Sequence, residues 1–488
     1  MFRKIRIGLA LLFSVAITLL FLDITGTLHT YLGWLAKIQF WPAVLALNVG
    51  VLILLIGLTL IMGRVYCSVI CPLGILQDFF SWIGGKVKKN RFSFSSEKRI
   101  VRYVILTLFV ILTIIGFNTI ALYIEPYSAY GRIVNGLLQP LYVGINNLLA
   151  TTAERMNSYA FYEVETLTKA LPLLIVAIVT LVVVAYLSFK NGRTWCNTIC
   201  PVGTLLGFLA KFSWLKPVIN AEKCISCGLC EKNCKASCIN AKRKVIDYSR
   251  CVTCMNCIDK CKTGAIQYIH PKNMVQTETV IDESRRKFLA TSAVLATTMT
   301  VKAQAKKVDG GLTVIQDKQI PTRNVSPKPA GALSLKNFET HCTACQLCVS
   351  ACNNNVLRPS TKLENLLQPE MSFEEGYCRP ECVKCSEVCP TGAIHPITTV
   401  EKSSIKIGKA IFIKENCVVN TDGVECGNCA RRCPVGAITM VPSEELGGRM
   451  IPAVNTERCI GCGACENLCP ARPFSAIYVE GYDTHIEA

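Results

Sequence analysis

The chemistry in this chain is carried by sulfur. Its 29 cysteines are gathered into runs of repeated spacing. A recurring C-x2-C-x2-C-x3-C is what an iron–sulfur cubane needs, with three thiolates on one tight loop and a fourth brought from elsewhere. A disulfide framework has no reason to repeat that spacing, and four-thiolate zinc uses paired C-x2-C steps across a long gap. The cysteines are therefore expected as thiolate ligands, loaded in a reducing compartment.

Two runs, Cys224, Cys227, Cys230, Cys234 and Cys251, Cys254, Cys257, Cys261, have the bacterial two-cluster spacing. In that arrangement the last cysteine of each run reaches across to the other cluster. Cys224, Cys227, Cys230 and Cys261 are then one 4Fe-4S site, and Cys251, Cys254, Cys257 and Cys234 its partner. Lys235 and Lys262 stand where proline usually comes after the last ligand. Cys238 is surplus and is expected as a small buried hydrophobe; its rival role is to replace Cys234.

Four further runs come later: Cys342, Cys345, Cys348, Cys352; Cys378, Cys382, Cys385, Cys389; Cys417, Cys426, Cys429, Cys433; and Cys459, Cys462, Cys465, Cys469. Two have stretched first gaps, all end in x3-C, and three of those ends precede proline. Four clusters are the simplest account, which makes six in all. Pairing is expected to be nested, first run with fourth and second with third, ahead of adjacent pairing. The endings Cys261-Lys-Thr-Gly-Ala-Ile, Cys389-Pro-Thr-Gly-Ala-Ile and Cys433-Pro-Val-Gly-Ala-Ile are variants of one unit, a last ligand, a turn and a short strand.

Four cysteines stand apart, in Cys67-Ser-Val-Ile-Cys71-Pro72 and Cys196-Asn-Thr-Ile-Cys200-Pro201. At this spacing both sulfurs of a pair share one helix face. Two such turns could meet as a four-thiolate site for a further metal or cluster, or as a redox-active dithiol. Other chemistries lack their motifs. There is no C-x-x-C-H haem attachment, no glycine-rich nucleotide loop after a strand, and no nucleophile–base pattern. His29, His270, His341, His395 and His485 are isolated, and read as bystanders.

What must position these thiols is unusually apolar: 51% of the 488 residues are hydrophobic and the mean hydropathy is +0.37. Four segments, Ile5–Leu22, Ala43–Met62, Ile100–Leu122 and Ala170–Phe189, are near the roughly 20 residues that cross a bilayer, and runs such as Val51–Ile61 and Leu173–Val184 show no polar face. Basic residues gather before the first segment, between the second and third, and after the fourth. The positive-inside rule then puts the N-terminus and both C-x3-C-P steps in the cytoplasm. The expected fold class is membrane α-helical, with four transmembrane helices, plus small α+β bacterial ferredoxin-like iron–sulfur domains. Residues 1–215 form the membrane domain and 216–270 a cytoplasmic two-cluster domain. Residues 271–337 form a linker, and 338–488 a four-cluster domain. Within the linker, Ser284-Arg285-Arg286-Lys287-Phe288-Leu289 opens a segment, 284–305, that matches the core of a twin-arginine export signal. It would send the four-cluster domain to the periplasm; retention as a short anchor is expected ahead of the alternative, cleavage after Ala305.

The formal charge of +18 does not point to nucleic acid. Six loaded cubanes carry about −12 between them, and no aromatics interleave with the basic residues as in a nucleic-acid groove.

Residues 1–270, with four spans, two C-x3-C-P steps and a two-cluster domain, resemble the NapH/MauN family of membrane ferredoxin-type proteins. Residues 284–482, with the export signal and four cluster motifs, resemble the NapG/MauM family of polyferredoxins. The chain looks like a fusion of the two. That resemblance implies oxidation of membrane quinol, as a possible quinol dehydrogenase component, with electrons passed to a periplasmic redox partner, a cytochrome or molybdoenzyme of nitrate-reductase type. It carries the membrane motif onto Cys67, Cys71, Cys196 and Cys200. Partners are then membrane lipid and the quinone pool in an inner, multi-pass location. Glu125, Tyr123, Tyr127, His29 and Trp41 fall on the expected periplasmic edge, where a quinol would bind and Glu125 could accept a proton. The competing reading is a redox-sensing or metal-centre maturation protein, for which the C-x3-C-P thiols would handle a metal.

Overall fold

The computed structural model describes residues 2–23, 26–87, 92–115, 123–156, 162–164, 171–270 and 317–487. The twin-arginine segment 284–305 lies outside them, as does the latter part of the expected third span. The first half is helical: α1 (Phe2–Leu22), α2 (Val49–Met62), α3 (Pro72–Val87), α4 (Arg99–Ile115), α5 (Pro126–Ile133), α6 (Gln139–Arg155), α7 (Leu171–Asn191) and α8 (Pro201–Leu209), with shorter helices between. Among the described residues α1 and α7, 21 residues each, are long and apolar enough to cross a membrane. Two of the four expected spans are thus supported by length and composition. The second breaks because Leu47 adopts a left-handed φ of 50° and the Asn48 side chain caps α2 by accepting the Val51 amide at 3.3 Å.

Around the bundle, large apolar side chains face outward from α1, α2, α4 and α7, among them Leu12, Ile53, Ile114 and Val182. Inward-facing Ile17, Phe21, Leu55, Phe109 and Val184 are buried. One end of the bundle carries the first cysteine-rich unit. There Arg3 of α1 pairs with Asp259 at 2.8 Å, and the Trp214 amide bonds the Leu60 carbonyl of α2 at 2.7 Å. Arg102 of α4 bonds Ser249 Oγ at 3.3 Å, and the Arg193 amide just past α7 bonds the Lys235 carbonyl at 2.8 Å. The starts of α1 and α4 and the ends of α2 and α7 therefore share this side, so the four helices alternate in direction.

The opposite end carries the C-terminal unit. A Cβ on Gly131 of α5 would lie 2.4 Å from the Cys345 carbonyl oxygen, and Asn135 donates to Ser350 Oγ at 2.7 Å, buried. Leu173, at the start of α7, shares a core with Ala344 and Leu367. The connection from 123 onward is not a simple loop. It runs as α5, a π turn at Val134–Leu138 and then α6, with every residue of α5 buried. Its mixed composition hid it from a search for apolar runs.

Both cysteine-rich units are α+β, built from two-stranded antiparallel sheets and short helices. In the first, β1 (Lys216–Ile219) pairs with β4 (Ile266–Ile269), and β2 (Ile239–Asn240) with β3 (Val245–Ile246). In the second, β5 (Leu357–Pro359) pairs with β6 (Pro369–Met371), β7 (Ile405–Phe412) with β10 (Ile477–Glu487), and β8 (Ile438–Ser443) with β9 (Arg449–Val454). The described residues from 317 onward already pack on the second unit, ahead of the expected boundary at 338. Lys318 Nζ bonds the Glu466 carbonyl at 2.6 Å, the Gly481 amide bonds the Val325 carbonyl at 3.0 Å, and Arg323 forms a buried pair with Glu466.

The close approach at Gly131 is a test of the docking. Gly131→Val should cost about 1–3 kcal/mol through overpacking. Amide exchange at Ser350 and Ala351 should then speed up in the intact protein; exchange unchanged from wild type would mean the two parts do not meet there.

Candidate metal centres

Four of the cysteine loops pair a left-handed position with a short helix. Gly228, Met255, Gln346 and Gly463, all at positive φ, precede the helices bearing Cys230, Cys257, Cys348 and Cys465. These turns aim successive thiols into one small space. One cavity is lined by Cys342, Cys345, Cys348 and Cys389, a second by Cys352, Cys378, Cys382 and Cys385, and a third by Cys433, Cys459, Cys462 and Cys465. The remaining set is Cys417, Cys426, Cys429 and Cys469, in which Cys469 acts electrostatically on Cys417 and Cys429. The pairing is therefore adjacent, first run with second and third with fourth, and the nested expectation is corrected. Local closure explains it, because Cys352 to Cys378 and Cys433 to Cys459 are both 26 residues apart, and shorter loops cost less entropy to close.

In the first unit Cys224 and Cys227 act on Cys230, and Cys261 packs on the same core. The other cavity is lined by five thiols, Cys234, Cys238, Cys251, Cys254 and Cys257. Cys238 is buried in this core, as expected, and it also faces the other thiols. Its sulfur lies 3.5 Å from that of Cys234, and it also bonds Cys251. The bond to Cys238 holds the Cys234 thiol down to about 7, against the opposing effect of burial.

Elsewhere burial pushes the thiols up, Cys345 and Cys462 to about 12 and Cys429 to about 11. A thiolate in such a place is costly unless a cation meets it. An iron core supplies that charge, so the donor chemistry fits 4Fe-4S clusters. Lys402 adds more. Buried, it donates to Cys378 Sγ at 3.2 Å and to the Arg379 carbonyl at 2.6 Å, and nothing in the cysteine spacing announced it.

Cys67, Cys71, Cys196 and Cys200 come together inside the bundle, each 3% exposed, and act on one another electrostatically. The two segments are copies. Gly63 and Gly192 both have φ 72°, Arg64 and Arg193 come directly after them, and Cys71 and Cys200 each close their turn with an amide bond of 3.0 Å to the carbonyl five residues back. The reciprocal contacts cross between copies: Arg64 reaches the Cys196 carbonyl at 3.2 Å and Arg193 the Cys67 carbonyl at 2.6 Å. Gly74 and Gly203 leave room for this, since a Cβ would stand 2.7 Å from Arg193 and 2.9 Å from Arg64 respectively. Sequence reading missed both arginines, although each stands three residues before its cysteine. Among the described residues no three ligating side chains converge on a single ion-sized point.

The quinol candidates each have structural partners. Glu125 caps α5 through the Tyr127 and Ser128 amides, His29 Nδ1 pairs with Asp23 at 2.9 Å, Trp41 packs on Phe109 at 4.5 Å, and Arg132 lies over the Tyr123 ring. The cysteine sets themselves succeed one another. Thr253 lies against Gly63 and Arg64 acts on Cys251, which joins the five-thiol cavity to the bundle set. Tyr66 feels Cys67, Cys71 and Glu125, and Tyr127 feels Glu125, Cys345 and Cys389. Beyond, the Cys378 amide bonds the Cys462 carbonyl at 2.9 Å, linking the second and third cavities of the C-terminal unit.

Comparison with known proteins agrees with the thiol chemistry. Residues 44–90 with 171–220, and separately 244–267, match family models described as 4Fe-4S binding domain, and 424–472 match a 4Fe-4S dicluster domain. The methylamine utilization ferredoxin-type protein MauM of Methylobacillus flagellatus is 31% identical over 166 residues, 33% of this chain and 70% of the relative. Ferredoxin-type protein NapF of Escherichia coli K12 is 31% identical over 147 residues, 30% of this chain and 81% of the relative. Ferredoxin-type protein NapG of the same strain is 30% identical over 177 residues, 33% and 75% respectively. No solved structure matches.

Two outcomes test the thiol assignments. With Cys238 beside the site, Cys234→Ala should keep its iron, whereas the Cys234→Ala/Cys238→Ala double variant should lose about four irons per chain; equal loss in both would exclude the spare ligand. Lys402→Met should lower the midpoint potential of one cluster, because a nearby cation favours the more negative reduced form. Redox titration monitored by electron paramagnetic resonance reads this, and unchanged potentials would remove Lys402 from the site.

Proposed function

The chain belongs to the ferredoxin-type iron–sulfur protein family of MauM, NapF and NapG, and from this we propose that it is a membrane electron carrier. It passes electrons between the quinone pool and a periplasmic oxidoreductase of a nitrate-reductase-type respiratory chain. Six 4Fe-4S clusters would be held, two by the 216–270 unit and four by the C-terminal unit. Residues 1–270 would take the part of a NapH/MauN-like membrane protein, fused to a NapG/MauM-like polyferredoxin exported through the 284–305 signal.

The observation that carries this reading is the succession of cysteine sets through the molecule. The five-thiol cavity meets one end of the bundle, and the Cys342, Cys345, Cys348, Cys389 cavity meets the other through Tyr127 and Gly131. A protein that only handled one metal would need no thiol sets at both ends. The outward apolar side chains of four helices support burial in lipid, where contiguous exposed apolar surface is stable. The bundle length fits as well, since the 21 residues of α1 rise about 30 Å, the thickness of a bilayer core.

Adding a quinol to anaerobic membranes that contain the protein should bleach the cluster absorbance within a turnover. A reporter active only after export, fused to the C-terminus, should be active. Clusters that stay oxidised, or a reporter active only when held in the cytoplasm, would overturn the proposed path.

A further inference from the structure

Charge is out of balance around Cys67, Cys71, Cys196 and Cys200. Asp78 accepts from Arg193 Nε at 2.8 Å, Lys235 Nζ at 3.2 Å and Arg6 Nη1 at 3.1 Å. Three cations thus share one carboxylate. Arg64 adds a fourth cation with no carboxylate of its own among the described residues. Its partners are Asn197 Oδ1 at 2.8 Å, the Ser249 and Cys196 carbonyls at 3.2 Å, and Cys67 Sγ at 3.7 Å. Arg64 and Arg193 are fully buried. Taken alone, the set carries an excess of three positive charges, which is strongly unfavourable in a low-dielectric interior.

Further donors point at the sulfurs. Cys200 Sγ accepts the Gly203 amide at 3.3 Å and Cys71 Sγ accepts that of Gly74, so each cysteine caps the next helix, α8 of 9 residues and α3 of 16. Two helix N-termini, where partial positive charge gathers, converge on the set. Gln77 Nε2 bonds Cys196 Sγ at 3.2 Å. Asp78 meets three of the cations, and Arg64 and Lys235 also act on Cys251 and Cys254 of the adjoining set, but four neutral thiols would leave the donors aimed at these sulfurs with no anionic acceptor. A four-thiolate iron–sulfur cluster, at about −2 when oxidised, answers the excess.

We propose that Cys67, Cys71, Cys196 and Cys200 ligate a seventh iron–sulfur cluster inside the bundle, and that Arg64 and Arg193 are its positioning residues. Each arginine grips the opposite copy's backbone, so the pair fixes how the two halves of the ligand set face each other. Their charge also favours the extra electron. The seventh cluster is therefore poised at a higher potential than it would have without them. Held by these four thiols, such a cluster would supply one-electron chemistry between the adjoining ferredoxin unit and the unit beyond, gaining an electron as a cluster on one side is oxidised and giving it up as one on the other is reduced.

This deepens the iron–sulfur reading above and is tested without quinol or partner. Iron and acid-labile sulfide are counted in anaerobically purified whole protein, and a potentiometric titration is then run with Mössbauer and paramagnetic resonance detection. Wild type should hold about 28 irons, against about 24 for six cubanes alone, and Cys71→Ala/Cys200→Ala should lose about four while the other cluster signals persist. A wild-type count of about 24, or zinc or copper on these thiols, would overturn the proposal. Should the double variant fail to insert, Arg64→Gln provides the second reading. It should lower the midpoint potentials of the bundle cluster and of the adjoining five-thiol cluster, on whose Cys251 Arg64 also acts, and leave the others in place, with Arg64→Lys restoring most of the shift. An Arg64→Gln protein with every potential unchanged would remove the arginine from this role. Loss of all iron in wild type would instead defeat the underlying cluster reading, which separates the two failures.

Discussion

Burying a thiolate is the constraint on which this molecule is built. Sulfur gives up its proton cheaply in water, but in a dry interior the charge must be met by cations or by hydrogen-bond donors. In the two ferredoxin-like units each loop supplies backbone amides around its sulfurs, as where the Ala344 amide bonds Cys342 Sγ at 3.5 Å and the Ala437 amide bonds Cys433 Sγ at 3.2 Å. The bundle has fewer loops to spend. It uses whole side chains, Arg64, Arg193 and Gln77, and the ends of helices. The tight glycine contacts at Gly74 and Gly203 are the consequence, because a guanidinium must lie where an ordinary side chain would stand.

Much of the chemistry was legible in the primary structure, for a simple reason. Thiol ligands of one cubane come mostly from a single turn, and their spacing is a local property. Every expected run in the C-terminal unit gathers its first three cysteines as the spacing implied. What was not local was not legible. The partner of each fourth cysteine depends on which loops fold against each other, and here neighbours won, as Cys389 joining Cys342 shows. Cys238 is buried as expected, but its place beside Cys234 was not legible for the same reason, since only the turn after Cys234 reveals that it shares the cavity. The helical bundle was legible in its longest parts alone. Leu47 and Asn48 interrupt the second apolar stretch with a conformation that a hydropathy average passes over. Lys402 lies 13 residues past the last cysteine of its run, with no motif to tie it to Cys378.

Ordering the cysteine sets one after another makes the weakest contacts the informative ones. Between the bundle set and the C-terminal unit stand Tyr66, Glu125 and Tyr127, not another thiol. All three are buried, and Glu125 is held rigid as a helix cap. Glu125 and Tyr127 are placed there by α5, the helix that the apolar pattern did not announce. The π turn at Val134–Leu138 lets Asn135 project toward Ser350, and such turns widen a helix where a function needs it.

The two C-x3-C-P segments are near-duplicates that complete each other. Neither has a self-sufficient set: each gives two sulfurs and an arginine that reaches into its twin. Cut between them, the chain would yield two fragments with mismatched halves of one lock. Bringing the halves together is thus a checkpoint for assembly, because the second copy lies more than a hundred residues after the first and arrives only when the last long helix is in place.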